Sequence, residues 1–160
     1  MLYLVLKAVH IVAVVAFLGN ITVGVFWKLF ADRAGDAKIM AFAMDGIIKA
    51  DRVFTIPGVV TIVVAGVATA LVGHYSILGT GWILWGLGLF IVSGIAFGPL
   101  AQTQRAILAV AQTGMQTGEQ RAEYEALSKK WNVYGNVALI LPFIALIVMV
   151  LKPDLPAFGH

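Results

Sequence analysis

The sequence predicts an all-α integral membrane protein, a four-helix bundle that forms one domain over residues 1–160. Hydrophobic residues make up 61% of the chain and charged residues only 12%, whereas soluble domains carry roughly 25% charged residues. Residues 53–104 contain no Asp, Glu, Lys or Arg, a run that a water-soluble core does not use. The length of 160 residues holds four spans of about 20 residues with their connections and leaves no room for a second domain.

Uncharged runs set the positions of the four spans. They cover residues 8–27, 53–104 and 131–151. Because backbone groups in hydrocarbon must bond to one another, the long middle run is expected to form two helices joined by a turn near Gly79. The predicted spans are residues 2–27, 53–73, 81–101 and 132–151. We take the first as a span rather than a signal peptide, because no cleavage pattern follows it.

Basic residues predict the orientation in the membrane. All 11 lysines and arginines except Lys7 and Lys152 lie in the connection between spans one and two or in that between spans three and four. Because Lys and Arg are retained in the cytoplasm, we expect both connections on the cytoplasmic face of a bacterial inner membrane and both termini outside. The basic residues are mixed with acidic ones and form no stripe, so the expected partner is a lipid bilayer and not a nucleic acid.

Both connections are predicted to contain amphipathic helices. In connection one, apolar residues recur at helical spacing from Met40 to Ile48, which indicates either a helix on the inner membrane surface or an extension of the second span. In connection two, the third helix is expected to continue to Gln112 and a charged helix to cover residues 119–130. The interface aromatics are predicted to be Tyr75, Trp82 and Trp85 outside and Trp27, Trp131 and Tyr134 inside.

Small residues predict where the spans pack together. Gly66 and Ala70 in the second span, and Gly94 and Gly98 in the third, form pairs four positions apart. Such pairs let helix backbones approach closely in a bilayer, where hydrophobic transfer cannot drive association. We therefore predict these four as packing residues. A homo-oligomer is compatible with the sequence.

His10 is the main candidate for chemistry in the first span. It lies about 12 Å along the helix axis from the start of the span, and ionisable groups at such a depth normally face the bundle interior. The polar atoms and the smallest residues of this helix share one face, which consists of Lys7, His10, Ala13, Phe17, Asn20 and Gly24. We predict that this face points inward.

Two interpretations of His10 are open. In the first, its imidazole binds a metal, above all haem iron, or carries a proton, while Lys7 holds an anionic group such as a propionate. In the second, His10 is a neutral histidine satisfied by a helix carbonyl or an Asn, and Lys7 reaches to the interface. His74, at the outer end of the second span, is either a second axial ligand of one b-type haem or an interfacial residue. His160 is expected to be a disordered chain end.

Copper is the competing metal. Imidazole and methionine thioether suit Cu(I), and Met149 is expected at a depth similar to that of His10, but the five methionines make no close pair in one leaflet. The chain contains no cysteine, which excludes thiolate metal sites and covalent haem attachment. No carboxylate is expected within the spans, which removes the usual coupling group of a proton-driven carrier.

Three segments carry a resemblance to a known family. The runs LKAVHIVAVVAFLGN, GWILWGLGLFIVSGIAF and MVLKPDLP resemble a bacterial family of small four-span integral membrane proteins that is classed as a domain of unknown function. More distantly, Lys7 and His10 resemble the Lys-x-x-His of HemJ-type protoporphyrinogen oxidases and CopD-type copper-resistance membrane domains. The resemblance implies a four-helix membrane bundle with both termini outside, in which His10 corresponds to the histidine thought to bind haem in HemJ-type proteins.

The third span departs from the HemJ pattern. HemJ-type proteins carry Gly-Trp-Leu-His-Ala-Lys at its start, whereas this chain reads Gly-Trp-Ile-Leu-Trp-Gly from Gly81 to Gly86. Both the histidine and the lysine are missing, so the resemblance does not extend to protoporphyrinogen oxidation. His74 is then the remaining candidate for a second haem ligand in this leaflet.

The leading functional prediction is a membrane protein that binds a b-type haem near its outer face through His10. Two imidazole ligands favour electron transfer, and one open position favours a quinone-linked oxidation, with a quinone or a redox protein as partner. The first alternative is a transport component for copper or another small solute. The second is a structural or assembly protein without a cofactor.

Overall fold

The computed structural model describes residues 1–158 and is all-helical over that range. The helices are α1 (Leu2–Ala34), α2 (Ala37–Ala50), α3 (Ile56–Val72), α4 (Gly81–Gln112) and α5 (Gly118–Leu151), with a π-helical turn at Asp51–Thr55 between α2 and α3. Four helical segments are long and apolar enough to cross a membrane: α1, α2 with α3, α4, and α5. The predicted all-α class is therefore confirmed. The expectation for His160 lies outside the described residues.

The π-helical turn makes α2 and α3 one continuous span. Its signature is the Ile56 backbone N–H, which donates to the carbonyl of Asp51, five residues earlier. Pro57 follows directly, and proline lacks an N–H while its ring clashes with the carbonyl four residues before it. A widened turn absorbs this clash without ending the helix. Of the two outcomes considered for connection one, the structure shows the extension of the second span, which runs from Ala37 to Val72.

The other helix ends follow local capping rules. Gly35 adopts a left-handed conformation, φ 69°, and ends α1, and the side chain of Asp36 then accepts hydrogen bonds from the first N–H groups of α2. Thr117 and Gln120 form a reciprocal capping box at the start of α5. As predicted for connection two, α4 ends at Gln112 and a short break precedes α5.

Both chain termini and the turn between α3 and α4 lie at one end of the bundle, which we call the terminal end. The Trp85 indole donates to the carbonyl of Pro156 at 3.0 Å, and the ring of Trp82 packs against Tyr75 and beneath the Lys152 ammonium. The opposite end holds the α1–α2 and α4–α5 connections and is called the basic end. Which end faces the cytoplasm stays a prediction.

The helices pack in two pairs that leave a gap between them. α4 lies along α5, α1 lies along α3, and α2 bridges the pairs at the basic end by contacting both α1 and α4. Within the described residues α3 and α4 make no close backbone approach, although they are consecutive in the chain. Most of the buried core sits at the basic end, around the fully buried Met44 and Ile107. The terminal half of the bundle is therefore more open on its α3–α4 side.

This gap changes the role of the predicted small-residue pairs. Gly66 lies against the His10 ring, and Ala70 is buried. Gly94 and Gly98, in contrast, are exposed, and a Cβ atom added to either would meet nothing within 4 Å. The structure differs from the prediction here, because α3 does not approach the face of α4 that carries these two glycines.

Candidate functional site

His10 faces α3, as the sequence predicts, and is half-buried. Its Nδ1 lies 2.8 Å from the carbonyl oxygen of Ile62. Because a carbonyl oxygen can only accept a hydrogen bond, Nδ1 carries the proton and donates it, which leaves the lone pair on Nε2. Gly66 makes room for the ring, since a Cβ at that position would lie 2.9 Å from Cε1 of His10.

His74 and Lys7 differ from His10 in being exposed. His74 is exposed and follows the end of α3 with a φ of 58°. It lies eight residues beyond Gly66, so its backbone is about 12 Å further along the axis of α3 at 1.5 Å per residue. Lys7 is exposed on α1. The structure therefore shows one imidazole held within the bundle, at His10, and the pairing of His10 with His74 as haem ligands stays a prediction.

Met149, the methionine expected near the depth of His10, contacts α4. The Met149 side chain packs on α4, where a Cβ added to Gly86 would meet its Cε and Sδ atoms. Residues 1–158 contain no group of three or more His, Cys, Asp or Glu side chains placed to hold a metal ion.

An apolar groove between the helices has a volume of about 810 Å³, within the 300–1,000 Å³ typical of small-molecule sites. It lies between the helix pairs and is bounded by α1, α2 with α3, α4, and α5. Val60 of α3 and Ile91 of α4 line it and are more than half exposed, so the groove opens sideways at the α3–α4 gap. In a bilayer this opening faces acyl chains.

A buried carboxylate lies in the wall of the groove toward the basic end. Asp51 is 7% exposed. Its Oδ1 accepts hydrogen bonds from the Thr55 hydroxyl at 2.6 Å and from the Asn20 amide at 3.3 Å, and its Oδ2 accepts one from the Gln104 amide at 2.9 Å. The Asn20 amide also donates to Thr55 Oγ1 at 2.9 Å. We call these four residues the Asp51 network; all four line the groove.

The donors of the Asp51 network are two amides and a hydroxyl, and none carries a charge. The ion pairs among residues 1–158 are Lys28–Asp32 and Lys49–Asp45, and neither involves Asp51. Arg52, next to Asp51 in the chain, and Arg105, next to Gln104, are both exposed, and Lys49 pairs with Asp45. Asp51 is therefore a buried acidic group without a basic partner in the described part of the chain.

Trp131 adds an unsatisfied donor to the same cavity. Its side chain is 4% exposed and lines the groove, and its indole Nε1 is buried without a hydrogen-bond partner among the described residues. Buried donors are nearly always paired in proteins, so an orphan indole N–H calls for a partner from outside the chain, such as a ligand or a water. The depth of Trp131 near the inner interface stays a prediction, but the residue packs inside the core of the basic end and not on the surface.

Nearly the whole chain matches one known protein family. Residues 4–153 match the model of a family described as "Predicted integral membrane protein (DUF2269)". The chain belongs to this family. No curated protein and no solved structure matches the chain. The matched range of this DUF2269 protein includes His10, all of the Asp51 network and Trp131. The more distant resemblance to HemJ-type and CopD-type proteins stays a prediction.

The sequence interpretation of this DUF2269 protein missed Asp51. The absence of a carboxylate within the spans stays a prediction, but Asp51 lies in the continuous helix Ala37–Val72, just before the predicted start of the second span, and is buried in the bundle. Its position next to Arg52, just before the charge-free run, placed it in the charged connection, outside the predicted second span. One signal was present, since Asp51 and Thr55 are four residues apart and share a helix face. Their partners on α1 and α4 have no such local signature.

Lys28 is also more buried within the protein than the sequence suggests. We assigned it to a cytoplasmic connection, but it is 2% exposed, and its Nζ donates to Asp32 and to Ser128 Oγ. The Tyr124 hydroxyl donates to the other oxygen of Asp32 at 2.6 Å. We call Lys28, Asp32, Tyr124 and Ser128 the Lys28 cluster. It lies between the groove, whose lining includes Trp131, and a smaller pocket at the basic end that is lined by Asp32 and Tyr124. It thus forms a polar layer that separates the two cavities.

Proposed function

We propose that this protein binds a lipid-soluble small molecule that enters sideways from the bilayer, as a binding or transport component of the membrane. The observation that carries the proposal is the apolar groove of about 810 Å³ with the buried Asp51 carboxylate in its wall. Apolar walls supply the free energy of burial, and a few fixed polar groups orient the ligand. This function corresponds to the small-solute alternative of the sequence analysis.

The route into the groove supports lateral entry. A ligand dissolved among acyl chains reaches the cavity through the gap between α3 and α4 without crossing a headgroup layer, because the exposed Val60 and Ile91 border that gap. The Lys28 cluster closes the path from the groove toward the basic end.

A leucine at Gly94 tests the groove directly. Gly94 lines the groove and has open space around its Cα, so Gly94→Leu adds a side chain into the cavity without striking the protein. With N-phenyl-1-naphthylamine, a neutral lipophilic fluorophore, we expect saturable binding to the wild type in nanodiscs above the signal of empty discs. Gly94→Leu should weaken this binding about tenfold, or by about 1.4 kcal/mol.

Gly98→Leu is the matched control for this experiment. It lies one turn along the same helix, is equally exposed, and is not a lining residue of the groove. We expect its probe binding to equal that of the wild type. Equal binding in all three proteins, or no saturable binding to any of them, would overturn the proposed function.

A haem protein with a single axial histidine is the second candidate. The hydrogen bond from Nδ1 to the Ile62 carbonyl at 2.8 Å favours it, because histidines that bind metals normally donate their other N–H to a carbonyl or a carboxylate. His10 would hold the haem iron through Nε2, and this candidate does not need the exposed His74. A haem bound there would supply one-electron chemistry.

Visible spectra test this second candidate. Protein produced with added haem precursor and purified in mild detergent is expected to show a Soret band that is lost in His10→Ala. His74→Ala is the matched control and should leave the band unchanged, because His74 is distant and exposed. A colourless wild-type protein, or an identical band in both variants, would eliminate His10 as a haem ligand.

A further inference from the structure

We infer that the groove selects lipophilic cations, that is, apolar molecules with one positive charge held close to Asp51. The inference rests on the proposed function and adds the charge of the ligand to it. It depends on two independent features of the groove: the state of the carboxylate and the nature of the lining side chains.

The first feature is a buried carboxylate that lacks a counter-charge. Taking an ion out of water is costly, and buried acidic groups are normally paired with a basic group. Asp51 receives hydrogen bonds from Asn20, Thr55 and Gln104, all of them neutral. A carboxylate has about four acceptor positions, so three bonds leave capacity for one more. A positive ligand in the adjoining cavity supplies the missing charge.

The second feature is the number of aromatic rings in the lining. Cations are attracted to the electron-rich faces of aromatic rings, most strongly where water is excluded. The aromatic lining residues are Phe17, Trp27, Phe30, Phe42, Phe90, Phe97 and Trp131. An apolar cation therefore gains burial and ring contacts along the groove in addition to its attraction to Asp51.

The same arrangement disfavours an anionic ligand. Its charge would be repelled by Asp51, and the amides of Asn20 and Gln104 already donate within the Asp51 network. The indole of Trp131 is the one donor in the lining that is buried without a partner among the described residues. Replacing the existing network bonds would leave the buried carboxylate with fewer donors, at a cost that a single new bond does not offset.

Tetraphenylphosphonium and tetraphenylborate test the inference without any mutation. The two ions have nearly the same shape and apolar surface and carry opposite charges. In nanodiscs of zwitterionic phosphatidylcholine, equilibrium dialysis measures binding above that of empty discs. We expect saturable binding of the phosphonium and at least about tenfold weaker binding of the borate. Equal binding of both ions, or a preference for the borate, would overturn the inference.

Substitution of Asp51 locates the selectivity. Asp51→Asn is expected to weaken phosphonium binding about tenfold, whereas Asp51→Glu, which keeps the charge, should retain most of it. Asp45→Asn is the matched control, because it removes the same charge from a partly exposed residue that pairs with Lys49 and does not line the groove, and we expect it to bind like the wild type. Equal binding by Asp51→Asn and Asp45→Asn would also overturn the inference.

The outcomes separate this inference from the proposed function. Binding of the neutral naphthylamine probe that Gly94→Leu removes, together with no preference for the phosphonium, leaves the groove as a ligand site and overturns only its charge selectivity. Loss of saturable binding for all probes overturns both. The comparison of the two ions on the wild type decides the inference even if Asp51→Asn does not fold.

Discussion

At the scale of single residues, polar side chains in this bundle are satisfied by partners on other helices. His10 of α1 donates to Ile62 of α3, and Asp51 between α2 and α3 accepts from Gln104 of α4. In hydrocarbon an unpaired polar group costs several kcal/mol, so each of these bonds also fixes the register of two helices. The contact between the His10 ring and Gly66 is the clearest example of such a fixed register.

We expect Gly66→Ala to destabilise the protein. The new Cβ would lie 2.9 Å from Cε1 of His10 and 3.0 Å from Nδ1, so the ring must move and its bond to Ile62 must lengthen. Overpacking of this kind costs about 1–3 kcal/mol. Thermal unfolding in detergent, followed by size-exclusion chromatography of the heated samples, measures the loss as a lower midpoint.

Two further variants control this experiment. Gly98→Ala should stabilise by up to about 1 kcal/mol, because alanine is the better helix former and nothing lies within 4 Å of the new methyl group. In a His10→Ala background, Gly66→Ala should lose its penalty. A penalty that persists without the His10 ring would show that the contact is not its cause.

At the scale of elements, the π-helical turn at Asp51–Thr55 sets the direction in which Asp51 points. One extra residue in a helix rotates everything beyond it by about 100°. Pro57 gives a local reason for this turn, and the buried face of α2 gives a tertiary one, since Met44 and Ile47 are buried against the rest of the bundle. The two causes can be separated experimentally.

We expect the turn to survive Pro57→Ala. The packing of α2 and the Asp51 network should hold the register once the proline is gone, because rotating α2 would expose its buried face. The chain has no cysteine, so any disulfide cross-link must form between the two introduced cysteines. A Cβ at Gly24 would lie 3.8 Å from Ile47, and oxidative cross-linking of Gly24→Cys with Ile47→Cys should be equally efficient with and without Pro57.

The pair Gly24→Cys with Gly46→Cys is the control. Gly46 is the neighbour of Ile47, and a Cβ there meets nothing within 4 Å, so this pair should not cross-link. Transfer of the cross-link from position 47 to position 46 in the Pro57→Ala protein would show that proline alone maintains the turn.

At the scale of the whole molecule, four long helices form two pairs joined mainly at the basic end. α2 bridges the pairs there, whereas α3 and α4 stay apart along the terminal half. A soluble protein would close such a gap because water drives apolar surfaces together, but acyl chains are as apolar as the side chains, so the gap carries little penalty in a bilayer. The lateral opening is thus compatible with a stable fold.

The orientation of the whole molecule is tested by single cysteines. We expect Ile77→Cys, in the α3–α4 turn, to react with a membrane-impermeant maleimide added to intact cells. Glu125→Cys, near the start of α5, should react only after the membrane is permeabilised. The positive-inside rule gives this direction, because the basic residues concentrate at the end that contains Glu125. Labelling of position 125 alone in intact cells would reverse the topology.

The sequence by itself determined the membrane environment, the number of spans and the face of α1 that turns inward. Each of these follows from local composition and helical periodicity, which involve residues close together in the chain. The tertiary structure alone decided that Asp51 is buried, that Gly94 faces a groove and that His74 lies apart from His10. These facts depend on which helices become neighbours and at what register. In a bilayer that choice rests on a few long-range hydrogen bonds and close contacts, which leave no periodic pattern in the sequence.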